Sequence, residues 1–296
     1  MKWYTVIVLI FSAMFSVSSL AITTQTTLPL EFNTGNPSPF GMPSTTIEID
    51  GKKIPLILDT GALHIGLALS ERALKGIEVK YTGKTSCFKA YDGEHCQKEF
   101  IVPKVKIGDF YVENVHGIVM KKLWGGRDKN FKETPASLNG VIGLALLSQF
   151  NLLLDYKHSK AILVKFGYEP FQYYVDKWIP IQSTQNLTTH LKINDKSVIL
   201  LWDTGANPSN IRKETVHDFK KIPCSHNRRY DSESCLRVEI KSFTTDSNKK
   251  LPPTWFLIMK IPSYAPFDGL VGSNFYRNNL VYFDFLNHYI YVKTDW

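Results

Sequence analysis

Residues 46–62, TIEIDGKKIPLILDTGA, and residues 190–206, HLKINDKSVILLWDTGA, align without a gap at an offset of 144 positions. Each begins with alternating apolar residues, Ile47 and Ile49 in one, Leu191 and Ile193 in the other. Each passes a polar turn (Asp50-Gly51-Lys52; Asn194-Asp195-Lys196) and returns in an apolar run that ends at Asp-Thr-Gly-Ala. That pattern spells a β-hairpin whose second strand runs into an unusual loop. A second block repeats as well. Residues 140–165 and 269–293 place Gly140 against Gly269, Gly143 against Gly272 and Asp155 against Asp284, each 129 positions on. Both copies read as strand, glycine, short helix, strand, turn, strand. A chain that carries the same two blocks twice, in the same order, is built from two similar lobes. With long helical periodicity absent, the expected fold is all-β with short helices, its two lobes related by a pseudo-twofold axis.

At 296 residues the chain is long enough for each lobe to own a core. The lobes are expected at 45–166 and 188–296, with a connector at 167–187 too aromatic to be a floppy linker. Residues 22–44, rich in Thr, Pro and Asn, read as an extended N-terminal arm, and 121–138, KKLWGGRDKNFKETPASL, as a basic surface loop. Residues 1–21 combine Lys2, an apolar stretch and the small residues Ser19 and Ala21. They read as a secretory signal peptide cut after Ala21, which makes the protein exported, periplasmic or secreted, with no membrane span once the signal is removed. The length of the apolar run also fits an uncleaved anchor.

An even count of four cysteines in an exported chain favours disulfides. YDGEHC (91–96) resembles YDSESC (230–235), and in each lobe another cysteine lies a few residues upstream. Symmetry therefore favours the local pairs Cys87–Cys96 and Cys224–Cys235 over the other two pairings. A zinc site using these cysteines with His95 and His226 competes, although its spacings are wider than usual. The net charge of +8 comes from scattered basic doublets such as Lys52-Lys53 and Arg228-Arg229. Such doublets describe a solvated surface rather than a nucleic-acid stripe.

Asp59 and Asp203 each end a buried apolar run, where a carboxylate is costly unless hydrogen-bonded or paired. Two such groups in related lobes can meet at the axis. Like charges that close do not both ionise easily, so the pair holds a shared proton, one member acting as base and the other as acid. A water between them can then attack a carbonyl without metal or cofactor. Gly61 and Gly205 allow close approach of the two loops, and the Thr60 and Thr204 hydroxyls can bond across the axis.

ILDTGA with GVIGLALL, and LWDTGA with GLVGSNF, resemble the paired motifs of the pepsin/retropepsin superfamily of aspartic peptidases. The resemblance covers nearly all of the mature chain. It implies a single-chain endopeptidase with Asp59 and Asp203 as catalytic pair, Thr60 and Thr204 as a cross-lobe grip, and Gly143 and Gly272 passing beneath the catalytic loops. It also implies a monomer that binds a peptide or protein substrate in extended form, under a hairpin flap. Tyr91 is the flap tyrosine candidate and Tyr230 its counterpart. Ala62 and Ala206 stand where pepsin-type sites carry Ser or Thr, which implies an optimum less acidic than pepsin's. The alternative function is a catalytically silent peptide- or protein-binding module with the same cleft. Asp155 and Asp284 read as turn-capping residues. Asn186-Leu187-Thr188 is a glycosylation sequon, relevant only in a eukaryotic secretory pathway.

Overall fold

The computed structural model describes residues 23–32, 41–90, 93–121, 133–170, 173–224, 235–241 and 243–294. The expected signal peptide lies outside the described residues, and no described helix is long and apolar enough to cross a membrane. The fold is mainly β with a few short helices, arranged as two related eight-stranded sheets and one six-stranded sheet.

The repeated hairpins form as their sequences direct. Pro43–Ile49 pairs with Lys52–Leu58, and Thr188–Ile193 with Lys196–Trp202, both antiparallel. Their two-residue turns need positive φ at both positions. Asp50 (52°) with Gly51 (76°), and Asn194 (47°) with Asp195 (62°), supply it with residues that tolerate that region. Each hairpin's second strand then takes a parallel neighbour from the other repeated block: Lys52–Leu58 beside Gly140–Ile142, and Lys196–Trp202 beside Gly269–Val271. A third strand, Leu67–Ser70 or Asn210–Arg212, pairs antiparallel to that neighbour. After each glycine a one-turn helix follows, Leu144–Leu147 or Ser273–Tyr276, and then two antiparallel strands.

Those two strand pairs meet in the six-stranded sheet, where Leu152, Leu153 and Leu154 pair with Phe283, Tyr282 and Val281. Two segments outside the repeated blocks add to it. Gln25–Pro29, within the expected extended N-terminal arm, pairs along Lys160–Val164 as a strand of this sheet. In the connector, Ile179–Gln182 pairs along Tyr289–Lys293, while Val175 and Trp178 are buried against Leu153, Ile162 and Tyr282. The basic surface loop expected over 121–138 ends in structure: Pro135–Asn139 is a short helix with a Thr134–Ser137 capping box and buried Ala136 and Ser137. Pro at its start and a hydroxyl cap explain why that stretch turns helical. Residues 122–132 lie outside the described residues.

Asp155 and Asp284 close turns, as expected. Asp155 Oδ1 accepts from the backbone N–H of His158 at 3.1 Å, and Asp284 Oδ1 from that of Asn287 at 3.1 Å. Asp155, fully buried, is also bonded by the Tyr173 hydroxyl and faces Lys160 Nζ at 3.5 Å, which offsets its burial.

Candidate active site

The two Asp-Thr-Gly-Ala loops come together. Leu56, Ile57 and Leu58 on one side, and Leu200, Leu201 and Trp202 on the other, are buried and fix the strands that deliver them. Asp59 N donates to Ile142 O and Asp203 N to Val271 O, each at 3.0 Å. Each aspartate is thereby tied to the glycine-flanked strand of its own lobe.

The threonines then cross the axis. Thr60 Oγ1 donates to Trp202 O at 2.8 Å and accepts from Thr204 N at 3.0 Å. Thr204 Oγ1 donates to Leu58 O at 2.8 Å and accepts from Thr60 N at 2.9 Å. Both threonines are fully buried, so four backbone groups that would otherwise lack partners are satisfied by two hydroxyls. The glycines let the loops touch. A Cβ on Gly61 would lie 2.5 Å from Asp203 Cγ, and one on Gly205 would lie 2.6 Å from Asp59 Cγ. Each carboxyl thus rests on the opposite lobe's glycine, where no side chain fits.

Within its own loop, Asp59 Oδ1 accepts from Gly61 N at 2.8 Å. Asp203 Oδ1 accepts from Gly205 N at 2.7 Å and Ala206 N at 3.1 Å. Both side chains are densely surrounded yet keep partial exposure. Burial pushes both carboxyls above the ordinary aspartate range. For Asp203 the neighbouring Asp59 charge and the hydrogen bond between the two groups push further, whereas that bond pulls Asp59 down. Two carboxyls placed this close do not both ionise readily, and such a pair titrates as a unit.

Gly143 and Gly272, which the resemblance places beneath the catalytic loops, lie against them. A Cβ there would meet Ile65 O at 2.1 Å or Ala206 O at 2.5 Å. The residue after each continues the match: Leu144 N donates to Ala62 O and Ser273 N to Ala206 O, both at 3.0 Å.

The cysteines form the two local disulfides, Cys87–Cys96 and Cys224–Cys235, so their thiolates are not available to hold zinc. The first staples the hairpin Lys80–Ala90/Gly93–Ile107. Tyr91 and Tyr230 lie outside the described residues.

Sequence reasoning missed several neighbours. Phe88, on that hairpin, packs against the small buried cluster of Ile57, Ile118 and Val141 that Ala62, Ile65 and Met42 also pack against. Behind the Asp203 loop the support is polar: Ser209 N donates to Asn274 Oδ1 at 2.7 Å, Gly272 N to Ser209 Oγ at 2.8 Å, and Ser273 Oγ to Asn207 Oδ1 at 2.8 Å. The only signal for this asymmetry is the departure of Asn207-Pro208-Ser209 from Leu63-His64-Ile65 after otherwise matched motifs. No curated protein matches the chain. Residues 45–146, which hold Asp59, Thr60, the stapled hairpin and Gly143, match the model of a family described as aspartyl protease, and this part of the chain is similar to it.

Proposed function

We propose that the protein is an aspartic endopeptidase that hydrolyses peptide bonds with a water held between Asp59 and Asp203. The observation that carries this reading is the reciprocal seating of the two carboxyls, each on the opposite lobe's glycine and both pushed above the ordinary aspartate range. The charged member of the pair takes a proton from the water as it attacks the carbonyl carbon. The protonated member donates to the carbonyl oxygen. Collapse of the tetrahedral intermediate returns a proton to the leaving amine, and no acyl-enzyme forms. Backbone N–H groups of Gly61, Gly205 and Ala206 orient the carboxyls, and the threonine grip holds the loops so that neither carboxyl moves away from the water. The substrate lies extended between the lobes beneath the stapled hairpin, and the enzyme works as an exported monomer.

Ala62 and Ala206 add no hydroxyl to the carboxylates, which favours a working range less acidic than pepsin's. Purified mature protein should cleave a diverse peptide library with a maximum above about pH 3 and should be blocked by a transition-state-mimicking aspartic peptidase inhibitor. Asp59→Asn and Asp203→Asn should each abolish cleavage while leaving the circular dichroism spectrum unchanged. Wild-type rates in either variant would falsify the mechanism.

A further inference from the structure

The hairpin Lys80–Ala90/Gly93–Ile107 touches both sides of the paired aspartates. On the Asp59 side Phe88 packs on the same small buried cluster, around Ile57, Ile118 and Val141, as Ala62 and Ile65, which follow Asp59 in its own loop. The next residue, Lys89, reaches the other lobe: its Nζ lies over the ring of Tyr264, 5.3 Å from the centroid. Tyr264 sits in the loop 261–267, directly before Asp268 and the strand Gly269–Val271 that runs beside Lys196–Trp202, the strand leading into Asp203.

That loop is built to stand still. The Arg212 guanidinium donates to four of its carbonyls, Ile261 O at 3.3 Å, Pro262 O at 3.4 Å, Ala265 O at 3.4 Å and Phe267 O at 3.0 Å. One planar cation thereby replaces the ladder that an irregular loop lacks. At the loop's exit, Asp268 N donates to Ile199 O at 2.7 Å and Asp268 Oδ2 accepts from Ile199 N at 2.9 Å. Tyr264 is about half exposed, at 52%, so its ring is presented rather than packed away. The disulfide Cys87–Cys96 stiffens the hairpin two residues before Lys89, which limits how far the ammonium can wander.

We propose that Lys89 and Tyr264 form a latch that holds the hairpin closed across the cleft over a bound peptide, with Arg212 as the positioning residue that keeps the Tyr264 loop in place. This rests on the reading of Asp59 and Asp203 as the catalytic pair. A cation over an exposed aromatic face is a weak contact, so the latch opens readily and shifts the closed population only modestly. Removing it is expected to change the open-to-closed ratio about two- to fivefold.

The test uses the full mature protein with Lys89→Met, Tyr264→Ala, the double variant, and the conservative Lys89→Arg and Tyr264→Phe. Lys89→Met and Tyr264→Ala should each raise KM about two- to fivefold with kcat unchanged, and the double variant should be no worse than either. The Arg and Phe variants, which keep the cation and the ring, should match wild type. Hydrogen exchange provides an arm that needs no turnover: hairpin amides around Phe88 and Glu94 should lose protection by a similar factor in the Met and Ala variants and keep it in the Arg and Phe variants. Additive effects in the double variant, a lowered KM, or unchanged hairpin protection would each overturn the latch. Preserved exchange behaviour without any cleavage would instead overturn the peptidase reading.

Discussion

Replacing Thr60 by valine tests the frame on which the paired carboxyls depend. Valine keeps the shape of threonine and removes only the hydroxyl. That hydroxyl lies 2.8 Å from Trp202 O and 3.0 Å from Thr204 N, and the residue is fully buried. Both backbone groups would then lack a partner, at a cost of about 1–3 kcal/mol each, so Thr60→Val is expected to destabilise by about 2–6 kcal/mol. That is a large share of the roughly 5–15 kcal/mol by which most domains are stable. Thr60→Ser keeps the hydroxyl and loses one methyl, for about 1 kcal/mol. Urea unfolding with the disulfides intact reads the difference as a shift in midpoint at constant slope. Adding Thr204→Val to Thr60→Val should cost less than Thr204→Val alone, because the loops have already parted. A Thr60→Val variant within about 0.5 kcal/mol of wild type, or a serine variant as damaged as the valine one, would refute the reasoning.

Gly205→Ala places a carbon about where Asp59 Cγ now sits within 2.6 Å, so the carboxyl must move, and peptide cleavage should fall by about 100-fold with the fold retained, measured as kcat on a fluorogenic peptide. Gly61→Ala should do the same through Asp203, where the distance is 2.5 Å. The pH dependence of stability follows from burial. Because the folded pKa of Asp203 lies above its ordinary 3.8, the folded chain binds more protons than the unfolded chain as pH rises past that value, and stability falls. Asp203→Asn lacks this loss. Its Tm should equal or exceed that of wild type at pH 7, with the gap narrowing below pH 3.8, and a variant less stable at neutral pH would sink the burial argument.

Much of the site could be read before any coordinates. The sequence offset of 144 positions is also the chain separation of the Thr60–Thr204 hydrogen bonds, because equivalent residues of a pseudo-twofold meet at its axis. The glycines were legible for the same reason: a residue that recurs where two loops must touch has a steric cause. What stayed hidden was contact between unlike segments. Nothing in the pattern of Gln25–Pro29 says that it will pair with Lys160–Val164. Neither Arg212 nor Tyr264 belongs to a repeat, and periodicity is blind to a guanidinium that gathers four carbonyls from a distant loop. Turn chemistry marks the tip of the Lys80–Ala90/Gly93–Ile107 hairpin, whereas Phe88, which packs, lies inside the strand, where no turn signal reaches.

The seam between Asn151–Asp155 and Leu280–Asp284 has a consequence in time. Its partners are far apart along the chain: Asn151 Nδ2 donates to the Tyr282 hydroxyl across 131 positions, and Phe285 N to Asn151 Oδ1 across 134. Contacts this remote form late, after the intervening chain has been made and has closed its loop. A chain emerging from a ribosome therefore carries Asp59 for a long while without its mate. If the paired carboxyls are the catalyst, the nascent protein is inert by construction, and competence arrives only when the second lobe has been made and the seam zips shut.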